Sequence, residues 1–140
     1  MNNIRLERIW TDDDGMVKLI ITISNGSQKT VQDFYAYPDQ LEAFAADLAS
    51  YFPKLGKGEV SFKYGDKPDF YSLVFLRVFY IDLHTLGIEV TTDNREESPD
   101  AASSHFFMRS NCEYVNRMGE SLAKWCSNMD TVFEYEWYDV

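Results

Sequence analysis

Apolar residues stand at every second position from Val17 to Ile23, and this period of two predicts a strand with one continuously apolar face. The dipeptide Asn25-Gly26 follows, and it tolerates the positive φ angles of a type I′ turn. Residues 28–37 then resume a strand pattern. The three segments together predict a β-hairpin.

Similar patterns predict six further strands. The longest apolar stretch, residues 70–82, is hydrophobic on both faces, which is typical of a central strand. Residues 93–103 contain Pro99 and no large apolar side chain, and this composition favours a mobile loop. The six strands are predicted at residues 4–10, 59–64, 70–82, 86–92, 105–108 and 131–138.

Two other segments repeat apolar residues at helical spacing. In residues 38–52, Pro38 suits the first turn of a helix and Pro53 would end it. A second helix is predicted after Ser110, because Ser110 and Glu113 have the spacing of a capping box. The predicted buried stripes are Leu41, Phe44, Ala45, Leu48 and Phe52 in the first helix, and Val115, Met118, Leu122, Trp125, Cys126 and Met129 in the second.

These elements predict an α+β fold. Short connections favour antiparallel pairing, so we expect a twisted, mainly antiparallel sheet of about six to eight strands with two amphipathic helices on one face. No internal repeat, low-complexity tract or linker divides the chain. Residues 1–140 are therefore predicted to form a single globular domain.

Composition bears on location. Of the 140 residues 45% are hydrophobic, which is enough for a core and too apolar for disorder. No apolar run approaches the roughly 20 residues needed to cross a bilayer, and residues 1–5 lack the pattern of a signal peptide. We expect a cytoplasmic protein without a membrane partner.

Charge narrows the range of partners. Acidic residues number 23 against 13 basic ones, giving a net charge of −10, and they cluster in residues 12–14, 30–53, 93–100 and 130–139. Because phosphate binding needs clustered Lys or Arg, nucleic acids and anionic lipids are disfavoured. A basic protein is the expected partner. The plainer interpretation is that the charge only keeps a small protein soluble.

No motif for catalysis, a metal or a cofactor emerges, and we expect none of the three. Cys112 and Cys126 lie too far apart on one predicted helix to form a disulfide, so both are expected as free thiols. His84 and His105 lack the paired spacing of zinc ligands. An alternative hypothesis remains: a small enzyme or ligand-binding domain with a pocket that uses His84, His105 or Cys112.

Carboxylates and aromatic residues coincide at two places. Aromatic side chains anchor protein interfaces and carboxylates select a basic partner, so both places are candidate binding sites. In the last strand, the competing interpretation puts Phe133, Tyr135 and Trp137 in the core. The candidate partner-binding residues are Tyr35, Tyr37 and Asp39 at the hairpin-to-helix junction, and Glu134, Glu136, Tyr138 and Asp139 at the end of the chain.

Four segments carry a resemblance to a known group of proteins: Asp33-Phe34-Tyr35-Ala36-Tyr37-Pro38, Phe52-Pro53, Leu76-Arg77-Val78-Phe79 and Asn116-Arg117-Met118-Gly119. Together they resemble small bacterial proteins grouped with candidate immunity proteins of polymorphic toxin systems, including WapI-family immunity proteins. The likeness extends over nearly the whole chain, although these segments are packing and turn signatures. The resemblance implies a cytoplasmic antitoxin that binds and blocks a cognate toxin domain without a cofactor.

The resemblance transfers no binding residues, because the family offers no functional motif. The leading hypothesis is an acidic protein-binding module, most concretely an immunity protein. The pocket enzyme described above is the second. A third is a structural homo-oligomer that associates through an uncapped sheet edge.

Overall fold

In the computed structural model, residues 1–50, 52, 58–65, 67 and 70–138 are described. Within these ranges the chain forms eight strands and two helices, so the predicted α+β fold is confirmed. The strands are β1 (Asn2–Thr11), β2 (Val17–Ser24), β3 (Lys29–Ala36), β4 (Glu59–Tyr64), β5 (Leu73–Tyr80), β6 (Leu86–Asp93), β7 (Ser103–Ser110) and β8 (Val132–Trp137), and the helices are α1 (Pro38–Ser50) and α2 (Cys112–Asn128).

The strands pair antiparallel, as predicted, but they form two four-stranded sheets rather than one. Sheet A has the order β3-β2-β1-β8 and sheet B the order β4-β5-β6-β7. The last strand returns to the first, with Trp137 opposite Asn2. After β3 the chain leaves sheet A through α1, and β4 then pairs with β5. The helix therefore separates the two sheets along the chain.

Each sheet turns one face towards a common core. In β2 the positions from Val17 to Ile23 alternate between buried and half-buried, as the period of two predicts. Both helices bury their apolar stripes in the same cluster of side chains. Apolar residues from both sheets and both helices enclose a cavity of about 30 Å³ at its centre. Such an apolar void stays dry and leaves little room for a ligand.

The two helices approach each other closely at Gly119. A Cβ atom added there would lie 2.5 Å from the Ala49 backbone nitrogen and 2.7 Å from the Ala45 carbonyl oxygen of α1. Glycine therefore allows the backbone of α2 to touch that of α1. The predicted end of the first helix at Pro53 falls outside the described residues.

Two local predictions were wrong in detail. Gly26 has φ of +92° at the first central position of the hairpin turn, between the paired Asn25 and Gln28, whereas neither Asn25 nor the second central residue, Ser27, has a positive φ. This is the pattern of a type II′ rather than a type I′ turn. The N-cap of α2 is Asn111, whose side chain accepts a hydrogen bond from Tyr114 N, and not Ser110. Ser110 pairs with Leu86 as the last residue of β7, so it cannot serve as the cap.

Side chains of sheet A cover one edge of sheet B. The carbonyl oxygen of Phe107 accepts a hydrogen bond from Asn25 Nδ2 at 3.2 Å, and that of Arg109 accepts one from Trp137 Nε1 at 2.7 Å. Both carbonyls belong to the edge strand β7. Because open strand edges promote self-association, these bonds make β7 a poor edge for recruiting a second chain.

Candidate functional site

The candidate site is a cleft of about 390 Å³ where the chain passes from β3 into α1. Tyr37 occupies the connection between the two elements. Its backbone N–H donates to Gln40 Oε1 at 2.9 Å, and its carbonyl accepts from Gln40 N at 3.0 Å, so Gln40 helps to cap the start of α1. We call this site the aromatic cleft; Met16, Tyr35, Ala36, Tyr37, Gln40, Tyr64 and Phe70 line it.

Aromatic rings from four parts of the chain meet around Tyr35. Its ring centre lies 5.8 Å from that of Trp10, 5.7 Å from that of Tyr71 and 6.3 Å from that of Tyr64. Tyr64 in turn contacts Phe70 at 5.6 Å. Buried neighbours support this cluster from below, because Tyr64 also lies 6.0 Å from the buried Phe34.

Several of these rings face solvent. Trp10 and Phe70 are 38% exposed, Tyr37 is 40% exposed and Tyr71 is 49% exposed. Single exposed apolar side chains are ordinary on a protein surface, whereas a contiguous aromatic patch is typical of a binding site. The cleft therefore combines rings that pack on buried residues with rings that are accessible to a partner.

Four carboxylates lie near the tyrosines of the cleft, and we call them the acidic rim: Asp12, Asp14, Asp33 and Asp39. The first two and Asp39 are close enough to Tyr37, and Asp33 to Tyr71, to raise the pKa of the phenol. Two of them fix aromatic side chains directly. The Tyr37 hydroxyl donates to Asp14 Oδ2 at 2.7 Å, and the Tyr71 hydroxyl donates to Asp33 Oδ2 at 2.8 Å. Each bond holds an exposed ring in one orientation and places a carboxylate beside it.

These hydrogen bonds also set the charge of the rim. A hydrogen bond with Asp12 and a second with the Tyr37 hydroxyl lower the pKa of the Asp14 carboxyl. The bond to Asp33 raises the pKa of the Tyr71 phenol to about 12, and the bond to Asp14 raises that of Tyr37. Asp14 is therefore ionised at neutral pH while both phenols stay protonated.

Arg95 supports the far wall of the cleft. Its guanidinium donates to the carbonyl oxygens of Gly65, Lys67 and Phe70, the last at 3.3 Å. Ser72 Oγ adds a hydrogen bond of 2.7 Å to the Asp33 carbonyl oxygen of β3. These bonds tie the connection between β4 and β5 to its neighbours. They position Phe70 and Tyr71 against the cleft.

The predicted binding residues do not form one site. Tyr35 and Tyr37 line the aromatic cleft, and Asp39 lies close enough to Tyr37 to help raise the pKa of its phenol. Glu134 and Glu136 are exposed on β8, which lies at the opposite edge of sheet A from β3. Tyr138 is 66% exposed beyond that strand, and Asp139 falls outside the described residues.

The three aromatic residues of β8 have different environments. Phe133 and Trp137 are buried in the core, as the competing interpretation predicts, and Tyr135 packs against the core while half-buried. Their burial leaves Glu134 and Glu136 on the outer face without an exposed ring between them. The exposed Tyr138, just beyond the strand, is the ring that stands nearest to these two carboxylates in sequence.

Sequence reasoning missed much of the cleft. Phe70 and Tyr71 were predicted inside a central strand, but β5 begins at Leu73, and both side chains are exposed before it. Tyr64 was predicted only as a strand residue. Trp10 was assigned to the end of the first strand. Tertiary packing brings these residues together. The only local sequence feature that could have indicated the site is the pair of adjacent aromatic residues, Phe70 and Tyr71, just after Pro68.

The histidines and Cys112 lie on three different elements. His84 is in the turn between β5 and β6, His105 is on β7, and Cys112 begins α2. His105 Nε2 lies 2.8 Å from Glu89 Oε2, and Glu89 Oε1 accepts from Arg77 Nε at 2.7 Å. The hypothesis of a pocket that uses His84, His105 or Cys112 therefore stays a prediction, with the three side chains on separate elements.

The Arg77, Glu89 and His105 network stabilises the outer face of sheet B. The hydrogen bond from Arg77, followed by that from His105, lowers the pKa of Glu89. A lowered folded-state pKa means that this stabilisation is present above the ordinary pKa of 4.5 and is lost as the pH falls through the lower folded value.

We expect Glu89→Gln to destabilise the protein at pH 7 by about 1 kcal/mol, since water partly screens the pair. The difference from the wild type should shrink as the pH falls below 4.5. Urea unfolding at pH 7 and at several acidic values measures it. A difference that stays constant across this range would contradict the assignment.

The thiols have different environments as well. Both cysteines are free, as expected. Cys126 is buried on α2, and burial raises the pKa of its thiol to about 11. Cys112 is half-buried. A thiol that is protonated and enclosed at neutral pH is a poor nucleophile, so Cys126 contributes packing.

Comparison with known proteins gives no family assignment. No protein-family model matches the chain, and no curated protein matches it either. Among the described residues, no group of three or more His, Cys, Asp or Glu is arranged to hold a metal ion. Neither helix of the described chain has the length and apolar character to cross a membrane.

Proposed function

We propose that this chain is an acidic protein-binding module, most concretely a cytoplasmic immunity protein that binds a basic bacterial toxin domain and neutralises it. The aromatic cleft with its acidic rim is the binding site in this proposal. The observation that carries it is the pairing of exposed, hydrogen-bonded tyrosines with carboxylates, Tyr37 with Asp14 and Tyr71 with Asp33.

Preorganisation supports the cleft as a binding site. A side chain held in place before binding loses less conformational entropy when a partner arrives. Here Tyr71 is held by its hydrogen bond to Asp33 and by contact with the Tyr35 ring, and Tyr37 is held by its hydrogen bond to Asp14. Rigid tyrosines of this kind are common anchors of protein interfaces.

Charge supports a basic partner. The net charge of −10 and the acidic rim give a negative surface that attracts a cationic protein and raises its association rate. A basic toxin that acts on nucleic acid presents such a surface. An acidic protein bound there would occupy the place of the substrate.

Charge reversal on two surfaces tests the proposal. In bacteria that co-express a toxin domain from a neighbouring gene, the wild type should restore growth. Asp14→Lys with Asp39→Lys should abolish protection and weaken the complex by about 100-fold or more, because cations in the rim repel the partner. Binding is measured by isothermal titration calorimetry with the purified proteins.

The matched control is Glu134→Lys with Glu136→Lys. It makes the same change in net charge at the opposite edge of sheet A, and it should weaken binding only slightly, through a slower association rate. Equal losses in both double variants would mean that net charge alone attracts the partner. Absence of both protection and binding in the wild type would overturn the proposal.

A further inference from the structure

We infer that the aromatic cleft receives an arginine side chain of the partner, stacked on its tyrosine rings and paired with Asp14. This inference rests on the proposed function and specifies its recognition chemistry. Aromatic faces attract a cation through the ring quadrupole, and a carboxylate beside the ring adds an ion pair. The cleft of about 390 Å³ offers the rings, and Asp14 adjoins it at the hydroxyl of the lining residue Tyr37, 2.7 Å away.

The lining favours a planar cation over other occupants. Tyr35, Tyr37, Tyr64 and Phe70 supply flat apolar surfaces, and Asp14 stands at the Tyr37 hydroxyl. An anion would face the four carboxylates of the rim. An aliphatic chain would leave Asp14 without a cationic partner. A guanidinium group is planar, stacks on aromatic rings and binds a carboxylate through two N–H groups, which an ammonium cannot do.

The same chemistry already occurs twice in this molecule. On sheet B, the Arg77 guanidinium lies 4.3 Å from the centre of the Phe79 ring and donates to Glu89 at 2.7 Å. Beside the cleft, Lys18 Nζ lies 5.8 Å from the centre of the Tyr35 ring and 3.6 Å from Asp33 Oδ2. In both cases a cation lies on an aromatic face and pairs with a carboxylate, and Arg77 also pairs with a second one, Glu59.

Asp14 is the carboxylate best suited to a cation from outside. Asp33 already pairs with Lys18 and accepts from Tyr71, so its charge is partly neutralised within the protein. Asp14 accepts from the Tyr37 hydroxyl and from the Met16 backbone N–H, and no ion pair to it is present among the described residues. Its negative charge is therefore available at the mouth of the cleft.

The test uses the protein alone, with acetyl-arginine amide and its neutral isostere acetyl-citrulline amide as probes. In ¹⁵N-labelled protein, the arginine probe should shift the amide resonances of Met16, Tyr35, Tyr37 and Gln40 with millimolar affinity. Citrulline keeps the shape of arginine without the charge, so it should bind at least tenfold more weakly. A lysine probe should also bind more weakly than arginine, because an ammonium lacks the planar fork.

Two variants locate the contacts. Asp14→Asn should weaken the arginine probe by about fivefold or more, and Tyr37→Leu should do the same while preserving apolar volume. Glu136→Gln removes one carboxylate at the far edge of sheet A and should leave the affinity unchanged. Circular dichroism and thermal unfolding check that each variant keeps the wild-type fold, which is expected because all three side chains are exposed.

Equal binding of arginine and citrulline, or shifts confined to residues outside the cleft, would overturn the inference. Either result leaves growth protection by the wild type intact, so it would not overturn the immunity function. Preferential binding of a neutral hexose in the cleft would also overturn it, since aromatic rings with carboxylates recognise sugars as well. If the wild type binds the arginine probe but does not protect the bacteria from the toxin, the proposed function is overturned instead.

Discussion

Gly119→Ala should destabilise the protein by about 2 kcal/mol, although alanine is the better helix former. In an unobstructed helix this substitution stabilises by roughly 0.5–1 kcal/mol. At Gly119, however, the new Cβ would meet backbone atoms of Ala45 and Ala49 at less than 3 Å. Because backbone atoms cannot rotate away as a side chain can, α1 and α2 must separate, and overpacking of this kind costs about 1–3 kcal/mol.

Urea unfolding measures this effect, with Ser121→Ala as the control. Ser121 is exposed on the same helix, so its replacement by alanine, a better helix former, should stabilise the protein slightly. Stabilisation by both substitutions would mean that the helices do not pack through Gly119. Destabilisation by Gly119→Ala alone is the outcome that supports this contact.

Gly65→Ala should have an even larger effect, about 3 kcal/mol, and it should also disturb the aromatic cleft. Gly65 has φ of +88°, and an added Cβ would lie 1.9 Å from the Ser72 carbonyl oxygen. The positive φ alone costs an L-residue roughly 1–2 kcal/mol, and the collision requires the backbone to move. Gly65 follows the cleft residue Tyr64 and is held by Arg95.

Gly15→Ala separates the two causes of this loss. Gly15 has a similar φ of +93°, but no atom lies within 4 Å of its added Cβ. Gly15→Ala should therefore show only the free-energy cost of placing an L-residue at a positive φ. Thermal and urea unfolding compare the two variants, and the amide resonances of Tyr35 and Tyr37 in ¹⁵N-labelled protein report on the cleft. Equal losses in both variants would contradict a tight approach between Gly65 and Ser72.

Hydrophobic periodicity was sufficient to predict the elements of this fold. The alternation from Val17 to Ile23 identified β2, and the helical spacing from Leu41 to Leu48 identified α1, because burial of one face leaves a direct trace in the sequence. Strand pairing leaves no such trace. The return of β8 to β1 and the start of a second sheet at β4 are long-range events, and periodicity does not encode them.

For the candidate site, too, the residues that are close in sequence were predictable and those brought together by long-range packing were not. Tyr35, Tyr37 and Asp39 are neighbours in sequence, so local composition was enough to find them. Trp10, Phe70 and Tyr71 reach the site from β1 and from the connection before β5, and only the packed structure brings them near Tyr35. The segment around Glu134 and Glu136 has a similar local composition. Strand order, however, places it on β8, at the opposite edge of sheet A from β3.

The pKa values of the rim carboxyls also depend on the folded structure. Sequence shows three consecutive aspartates at 12–14, and it does not reveal which carboxyl is favoured as an anion. The bond shared with Asp12, and after it the Tyr37 hydroxyl, lowers the pKa of Asp14, whereas the shared bond raises that of Asp12. The local geometry of the turn and a tertiary contact across 23 positions therefore act together on Asp14.

Oxidative footprinting of the partner complex by mass spectrometry tests the central claim most directly, because it reports on individual aromatic side chains. The protein contains its own references: Phe107 on sheet B is 48% exposed and Tyr138 is 66% exposed, similar to or greater than the cleft residues. On binding, we expect Trp10, Tyr37, Phe70 and Tyr71 to become protected from oxidation, while Phe107 and Tyr138 react as in the free protein. Protection of Phe107 or Tyr138, with unchanged oxidation at Tyr37 and Phe70, would contradict the assignment of the aromatic cleft as the binding site.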